Sequence, residues 1–199
     1  MSTRTRVGTA RFDRGRRRSI LHIPTWTASL PRSELSRFNA LLQRGVAVRT
    51  TAGRSVGSFL RDQLGLAPEY VEGRITTVFL DGQVVDRIDD ATFRARSVLA
   101  LSAAMPGLVG ATLRRAGYYA AMRSEITHAR SLSAPAPGGE RAVVRVKLFN
   151  LLLAEVGPVL LEHGILLDRG EATALVGDQP GTADGGSPAG EVELRVRVA

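Results

Sequence analysis

The sequence predicts an α+β protein built on one mixed sheet, with an elaborated C-terminal α/β extension. Three observations carry this. Short strand-like runs alternate with short helical runs through residues 20–105. Asp81-Gly82, which suits a turn requiring positive φ, separates two strand-like runs at hairpin spacing. At the C-terminus Val192, Leu194, Val196 and Val198 alternate with Glu191, Glu193, Arg195 and Arg197. That pattern makes a half-buried strand, which must pair with a sheet formed earlier in the chain.

The elements follow in order. Residues 1–18 are expected to be a basic flexible arm. Ile20-Leu21-His22-Ile23-Pro24 is a short apolar run at strand length, and Ser33–Leu42 a helical turn or two. Val46–Thr50 alternates and is rich in β-branched residues, so a strand is expected. Ser55 can cap a helix whose Val56, Phe59, Leu60 and Leu64 share one face, with Gly65 ending it. Pro68-Glu69-Tyr70 starts a further turn. Arg74–Leu80 and Gln83–Val85 are the arms of the hairpin, and Ile88–Arg96 is a polar connection anchored by Phe93. Ser97–Ser102 is apolar enough to be a central strand.

The second part opens at Pro106-Gly107. A helix is expected over Leu108–Arg123, a linker over Ser131–Glu140, a strand over Ala142–Leu148 and a helix over Phe149–Val156. Gly157-Pro158 interrupts that helix and starts another, which Gly164 ends before a strand at Ile165–Leu167. Residues 178–190 hold glycines and prolines enough for a disordered insert. The division is therefore arm 1–18, core 19–107 and extension 108–199.

Three segments carry a family likeness. Gly53-Arg54-Ser55-Val56-Gly57-Ser58-Phe59-Leu60 makes a strand-to-helix step, Val78-Phe79-Leu80-Asp81-Gly82-Gln83-Val84-Val85-Asp86 a hairpin similar to V-N-G-x-x-V, and Val98-Leu99-Ala100-Leu101 a late strand. Together they resemble the β-grasp (ubiquitin-like) fold in its sulfur-carrier branch, over residues 20–107. The resemblance implies a β-grasp-like mixed sheet that presents a face or edge to a partner protein. Carrier chemistry in that branch uses a mobile C-terminal Gly-Gly. Here the strand continues into Ala103–Gly110, and the given sequence ends Arg197-Val198-Ala199. Gly138-Gly139 would become such a terminus only after processing. Arg145-Val146-Lys147-Leu148-Phe149 also resembles the start of a carrier-type domain, so the extension is a partial repeat or an elaboration on the same sheet.

Composition narrows the chemistry. The 199 residues contain no cysteine, which excludes disulfides, thiolate metal sites and cysteine nucleophiles. The net charge of +8 is unevenly placed. The arm holds Arg4, Arg6, Arg11, Arg14, Arg16, Arg17 and Arg18 against Asp13, which leaves the other 181 residues nearly neutral. Such an arm can engage phosphates without reading bases, since Phe12 is its one stacking group. Arg17-Arg18-Ser19-Ile20-Leu21 loosely resembles a twin-arginine export signal, but His22, Pro24 and Thr25 interrupt the apolar stretch it needs. A cytoplasmic protein without a membrane span is expected.

Gly53-Arg54-Ser55-Val56-Gly57 matches G-x-S-x-G; a hydrolase would pair Ser55 with Asp81 or Asp86 and with His128 or His163. Turn glycines and an N-cap explain the same residues. Glu125 and His128 have one copy of an E-x-x-H spacing that metal bundles need twice. Asp81, Asp86, Asp89 and Asp90 lack calcium-loop spacing. Gly107, Gly110 and Thr112 open a helix beside Arg114 and Arg115, a candidate anion site. Tyr118, Tyr119 and Arg123 extend that basic stretch. No catalytic residue, metal or cofactor is expected. The expected function is a non-enzymatic protein-binding or scaffold module. A nucleic-acid accessory protein acting through Arg11, Arg14, Arg16, Arg17 and Arg18, and a carrier-like protein processed after Gly139, are the alternatives.

Overall fold

The structure is a computed structural model and describes residues 23–103, 107–115, 117, 139–177 and 190–199. The basic arm, the insert up to residue 189, and Tyr118, Tyr119, Arg123, Glu125 and His128 lie outside the described residues.

The first strand, β1, is Thr25–Leu30, downstream of the expected Ile20–Pro24 run. Trp26 and Ala28 turn inward while Thr25, Thr27 and Ser29 face out, so alternation rather than local apolarity places it. A 3-10 helix (Arg32–Phe38) runs into α1 (Asn39–Arg44), and together they bury Leu35, Phe38, Leu41 and Leu42. Strand β2 is Val46–Thr51. Helix α2 (Val56–Ser58) is capped as expected: the Ser58 N–H donates to Ser55 Oγ at 3.1 Å. A π turn, Phe59–Gln63, continues it and completes the buried stripe of Val56, Phe59, Leu60 and Leu64. Helix α3 (Pro68–Arg74) takes Arg74, the first residue of the expected strand, Ile75 and Thr76 connect, and β3 runs from Thr77 to Leu80. The hairpin to β4 (Gln83–Val84) turns through Asp81 and Gly82, at φ 52 and 84, as a two-residue loop with two positive-φ positions requires. Asp81 then accepts the Val98 N–H at 2.7 Å and the Ser97 hydroxyl at 2.9 Å, which ties the hairpin to β5 (Val98–Ser102).

Helix α4 is Gly107–Leu113, shorter in its described part than the expected 108–123. Strand β6 (Arg141–Phe149) includes Phe149, which was expected to open a helix; Asn150, at φ 55, makes the turn instead. Helices α5 (Leu152–Glu155) and α6 (Gly157–His163) meet where Pro158 sits in a first turn. Strand β7 is Ile165–Asp168. Helix α7 (Arg169–Val176) has no counterpart in the sequence expectations. Asp168 caps it by accepting the Gly170 N–H at 2.8 Å, and the Arg169 guanidinium lies over the Trp26 ring. Strand β8 is Glu191–Val198.

The eight strands form one mixed sheet in the order β1-β8-β7-β2-β6-β5-β3-β4. Strand β6 lies between β2, to which it is antiparallel, and β5, to which it is parallel. A boundary at residues 107/108 therefore does not divide the sheet, because a central strand comes from the expected extension. Helices α1, α2, α3, α5, α6 and α7 share one hydrophobic cluster with the inward residues of the strands, among them Val48, Val146, Leu101 and Leu194. Within it Phe59 and Phe93 meet edge to face at 5.3 Å, a geometry that adds about 0.5–1.5 kcal/mol beyond area burial. Among the described residues no helix of that cluster packs on the other face, where Arg49, Arg141, Arg145, Arg195 and Arg197 are exposed.

The sheet is built about an approximate twofold. Strands β2 and β7 pair antiparallel through Ala47 and Leu166. Ala47 lies opposite Arg145, and Arg145 opposite Val98 of a parallel strand. Leu166 lies opposite Glu193, and Glu193 opposite Thr25 of a parallel strand. Each inner strand follows a helix and a glycine of the same conformation: Gly45 (φ 107, ψ 131) before β2, and Gly164 (φ 116, ψ 132) before β7. Each half draws strands from both parts of the chain: β6 joins β2 and β5, and β1 joins β7 and β8.

Candidate functional site

The geometry disperses the sites expected from motifs. Ser55 Oγ is engaged by the Ser58 N–H, and the next amides are consumed too: Val56 N–H donates to the Ala91 carbonyl and Gly57 N–H to that of Ile88. Gly57 is small because a Cβ there would lie 2.0 Å from Asp89 Oδ1. The G-x-S-x-G segment is a cap and a packing contact, with its amides taken and no oxyanion hole left. Asp89 pairs with Arg61 and Asp90 with Arg87. Among the described residues no cluster of three metal-binding side chains exists.

The anion site expected around α4 loses its strongest member. Arg115 is only 7% exposed, and its guanidinium donates to the Ile75 carbonyl at 3.2 Å and the Val71 carbonyl at 2.9 Å, beside Glu72. It closes the C-terminal end of α3, where carbonyls lack helical partners and a cation is favoured. Burial pushes its pKa down. Gly107 takes φ 77, Gly110 is buried, and the Thr112 hydroxyl donates back to the Val109 carbonyl at 2.8 Å. Arg114 is exposed beside them. Gly139 sits in the turn immediately before β6, so a cut there would part the chain beside a central strand.

A different constellation forms on the open face. Beyond Ala47 and Leu166 strands β2 and β7 part, and a cleft of about 950 Å³ opens there. Arg49 and Thr51 of β2, Arg54 of the following turn, Arg141 of β6, His163 and Arg195 line it. Gln63 fills its base. The Gln63 amide nitrogen donates to the Arg49 carbonyl at 2.7 Å, and its oxygen accepts the Thr50 hydroxyl at 2.8 Å. Because a carbonyl can only accept, this fixes the amide orientation. The same nitrogen lies 3.0 Å from His163 Nε2, which therefore accepts, leaving the ring proton on Nδ1. Burial and the nearby Arg195 charge hold the His163 pKa below its ordinary value, with Glu193 opposing.

Glu193 was expected to face solvent, yet it is 8% exposed. It is buried by its neighbours' charges: Arg49 approaches at 3.1 Å and Arg195 at 2.7 Å. Gly164 makes the arrangement possible, since a Cβ there would stand 3.0 Å from Glu193 Oε1. Arg54 and Arg141 make no side-chain ion pair among the described residues. Among the described residues its walls carry four arginines against Asp62 and Glu193, a net charge of +2. The sequence offered a partial signal, the outward alternation of Arg195 and Arg197. It offered none for the meeting of residues from β2, β6, α6 and β8.

A smaller pocket of about 150 Å³ lies between α1 and the α5–α6 pair, with Arg32 on its wall. Among the described residues no helix is long and apolar enough to cross a membrane. Comparison with known proteins gives no matching family, no matching curated protein and no matching solved structure.

Proposed function

We propose that the protein is a non-enzymatic binding module with a β-grasp-like core, which receives an acidic protein partner on the sheet face opposite its hydrophobic cluster. The observation that carries this is the side-chain content of that face. Arg49, Arg141, Arg145, Lys147, Arg195 and Arg197 point from it, against Glu191 and Glu193. Charge complementarity selects an acidic partner and speeds its encounter. Val143 and Phe149 stand among the cations at 40% and 38% exposure. Mixed apolar and cationic surface suits a protein interface better than a run of phosphates. The β-grasp reading is supported by the step at Ser55, which leads from β2 into α2, and by the Asp81-Gly82 hairpin and the late strand, which fall in β3, β4 and β5 of the same sheet. Its departure is β6, which enters between β2 and β5 from later in the chain.

The test is capture with the full chain and with a Lys147→Glu/Arg197→Glu variant, read by quantitative mass spectrometry. An acidic protein retained by the native face, lost on charge reversal and released by salt is the expected result. Equal recovery by both overturns the reading. The seven arginines of residues 1–18 favour a second reading, nucleic-acid association through the arm. Labelled RNA and DNA duplexes followed by fluorescence anisotropy separate the two. Binding abolished by deleting residues 2–18 supports the arm, and binding that survives the deletion removes it.

A further inference from the structure

We propose that the cleft between β2 and β7 is a binding site for a small multivalent oxyanion, carrying its charge as phosphates or as carboxylates. Four observations converge on it. The cleft holds about 950 Å³, ample for a small polyanion. Two guanidiniums on its wall, Arg54 and Arg141, have no ionic partner among the described residues. They come from neighbouring places, since Arg141 pairs with Thr51 at the end of β2 and Arg54 lies in the turn that follows. A planar guanidinium presents two parallel N–H groups that match a carboxylate or phosphate edge, and two such groups can hold one ligand from two sides.

The remaining polar groups give the site its shape. Arg49 and Arg195 are already held by Glu193 at 3.1 and 2.7 Å, so they are fixed in place rather than free to sweep through solvent. Their charge exceeds that of the carboxylate between them, and the surplus faces the cleft. His163 accepts from Gln63 through Nε2, so its Nδ1–H remains a donor. The structure also explains why the opening exists. Strands β2 and β7 pair only through Ala47 and Leu166, and Gln63 satisfies the parted edge of β2 in place of a strand. Filling the split with a side-chain amide leaves the space above it open to a ligand.

The site stands apart from the partner reading, because its ligand is small and is measured without any other protein. Calorimetric titration of the full chain with sodium pyrophosphate and with trisodium citrate, at matched ionic strength, tests it. The comparison is with Arg54→Gln/Arg141→Gln. A control, Arg87→Gln, removes an arginine that does not line the cleft. Thermal melting verifies that each variant is folded. Saturable binding of one ligand, weakened at least tenfold in the double variant and unchanged in the control, is the expected result. Pyrophosphate alone then identifies a phosphate ligand, citrate alone a carboxylate ligand, and both a site that reads charge rather than the oxyanion. No saturable binding, or binding that the double variant keeps, overturns the proposal. Equal loss in the control also overturns it, since the ions would then be reading net charge.

Discussion

The two halves of the sheet share a backbone plan and differ in what covers their glycines. In the half made of β2, β6 and β5, a Cβ on Gly45 would lie 2.8 Å from Lys147 Cγ and 2.9 Å from Arg145 Cγ. Aliphatic stems close that place, and the Arg145 guanidinium donates to the Gly45 carbonyl at 2.9 Å. In the half made of β7, β8 and β1, Gly164 is roofed by Glu193 and Arg195, and the carboxylate reaches across it to Arg49. The lesson is that the backbone decides where side chains can cross a strand, while residue choice decides whether the crossing is a closed surface or a charged cleft.

Substituting the two glycines sharpens the contrast and gives the largest expected effects. Each sits at positive φ, which costs an L-residue roughly 1–2 kcal/mol. Gly45→Ala adds a clash with atoms close to the β6 backbone, for a total of about 2–4 kcal/mol. Gly164→Ala meets the far end of Glu193, which can swing away, and should cost about 1–3 kcal/mol. Urea denaturation measures both. Equal costs would show that the two roofs are mechanically alike and would remove the distinction.

Removing the charged groups themselves comes next. Glu193→Ala leaves Arg49 and Arg195 facing each other with no carboxylate between them, a loss of about 1–3 kcal/mol. At the equivalent place in the other half, Arg145→Ala removes one guanidinium–carbonyl bond and should cost about 1 kcal/mol. The same denaturation series decides. A cost for Arg145→Ala above that for Glu193→Ala would mean that the closed half, not the cleft, is the electrostatically organised one. Gln63→Leu should fall between these, at about 1–2 kcal/mol, because the Arg49 carbonyl and Thr50 hydroxyl lose their partner together.

This division also explains what could be read in the chain. Local chemistry was legible: the Ser55 cap, the Asp81-Gly82 turn, the stripe of Val56, Phe59 and Leu60, and the inward Val192, Leu194 and Val196 all emerge from neighbouring residues. Val198 did not follow the alternation and is 44% exposed. Trp26 was hidden because its strand, Thr-Trp-Thr-Ala-Ser-Leu, is half polar and follows a more apolar run. Helix α7 was hidden because its helical face is weakly apolar, and its start depends on Asp168. The position of β6 between β2 and β5 is a matter of long-range pairing that no local pattern encodes. The cleft was illegible for the same reason: Arg54, Arg141, His163 and Glu193 look like solvated residues until pairing brings their strands together. Arg115 shows the reverse error, a residue that looked available and is spent on helix carbonyls.

The smallest effect contrasts the residues just before the two glycines. Arg44 precedes Gly45 and pairs with Glu171. His163 precedes Gly164, and burial with the Arg195 charge keeps its pKa below the ordinary 6.5. A histidine with a lowered folded pKa contributes stability that is complete above 6.5 and is lost as pH falls through the folded value. Protonating Nε2 would also turn it from acceptor to donor against the Gln63 amide. Deeper acid brings a separate loss from Glu155, which accepts from Arg74 and from the Tyr70 hydroxyl at 2.7 Å. Those bonds hold its carboxyl at about 2, so its share disappears between about 4.5 and 2. Thermal melts from pH 8 to pH 2 should therefore fall in two stages. His163→Asn should remove the first stage and Glu155→Gln the second. A first stage that survives His163→Asn would place the titrating group outside the cleft and make the two glycine corners equivalent in their response to pH.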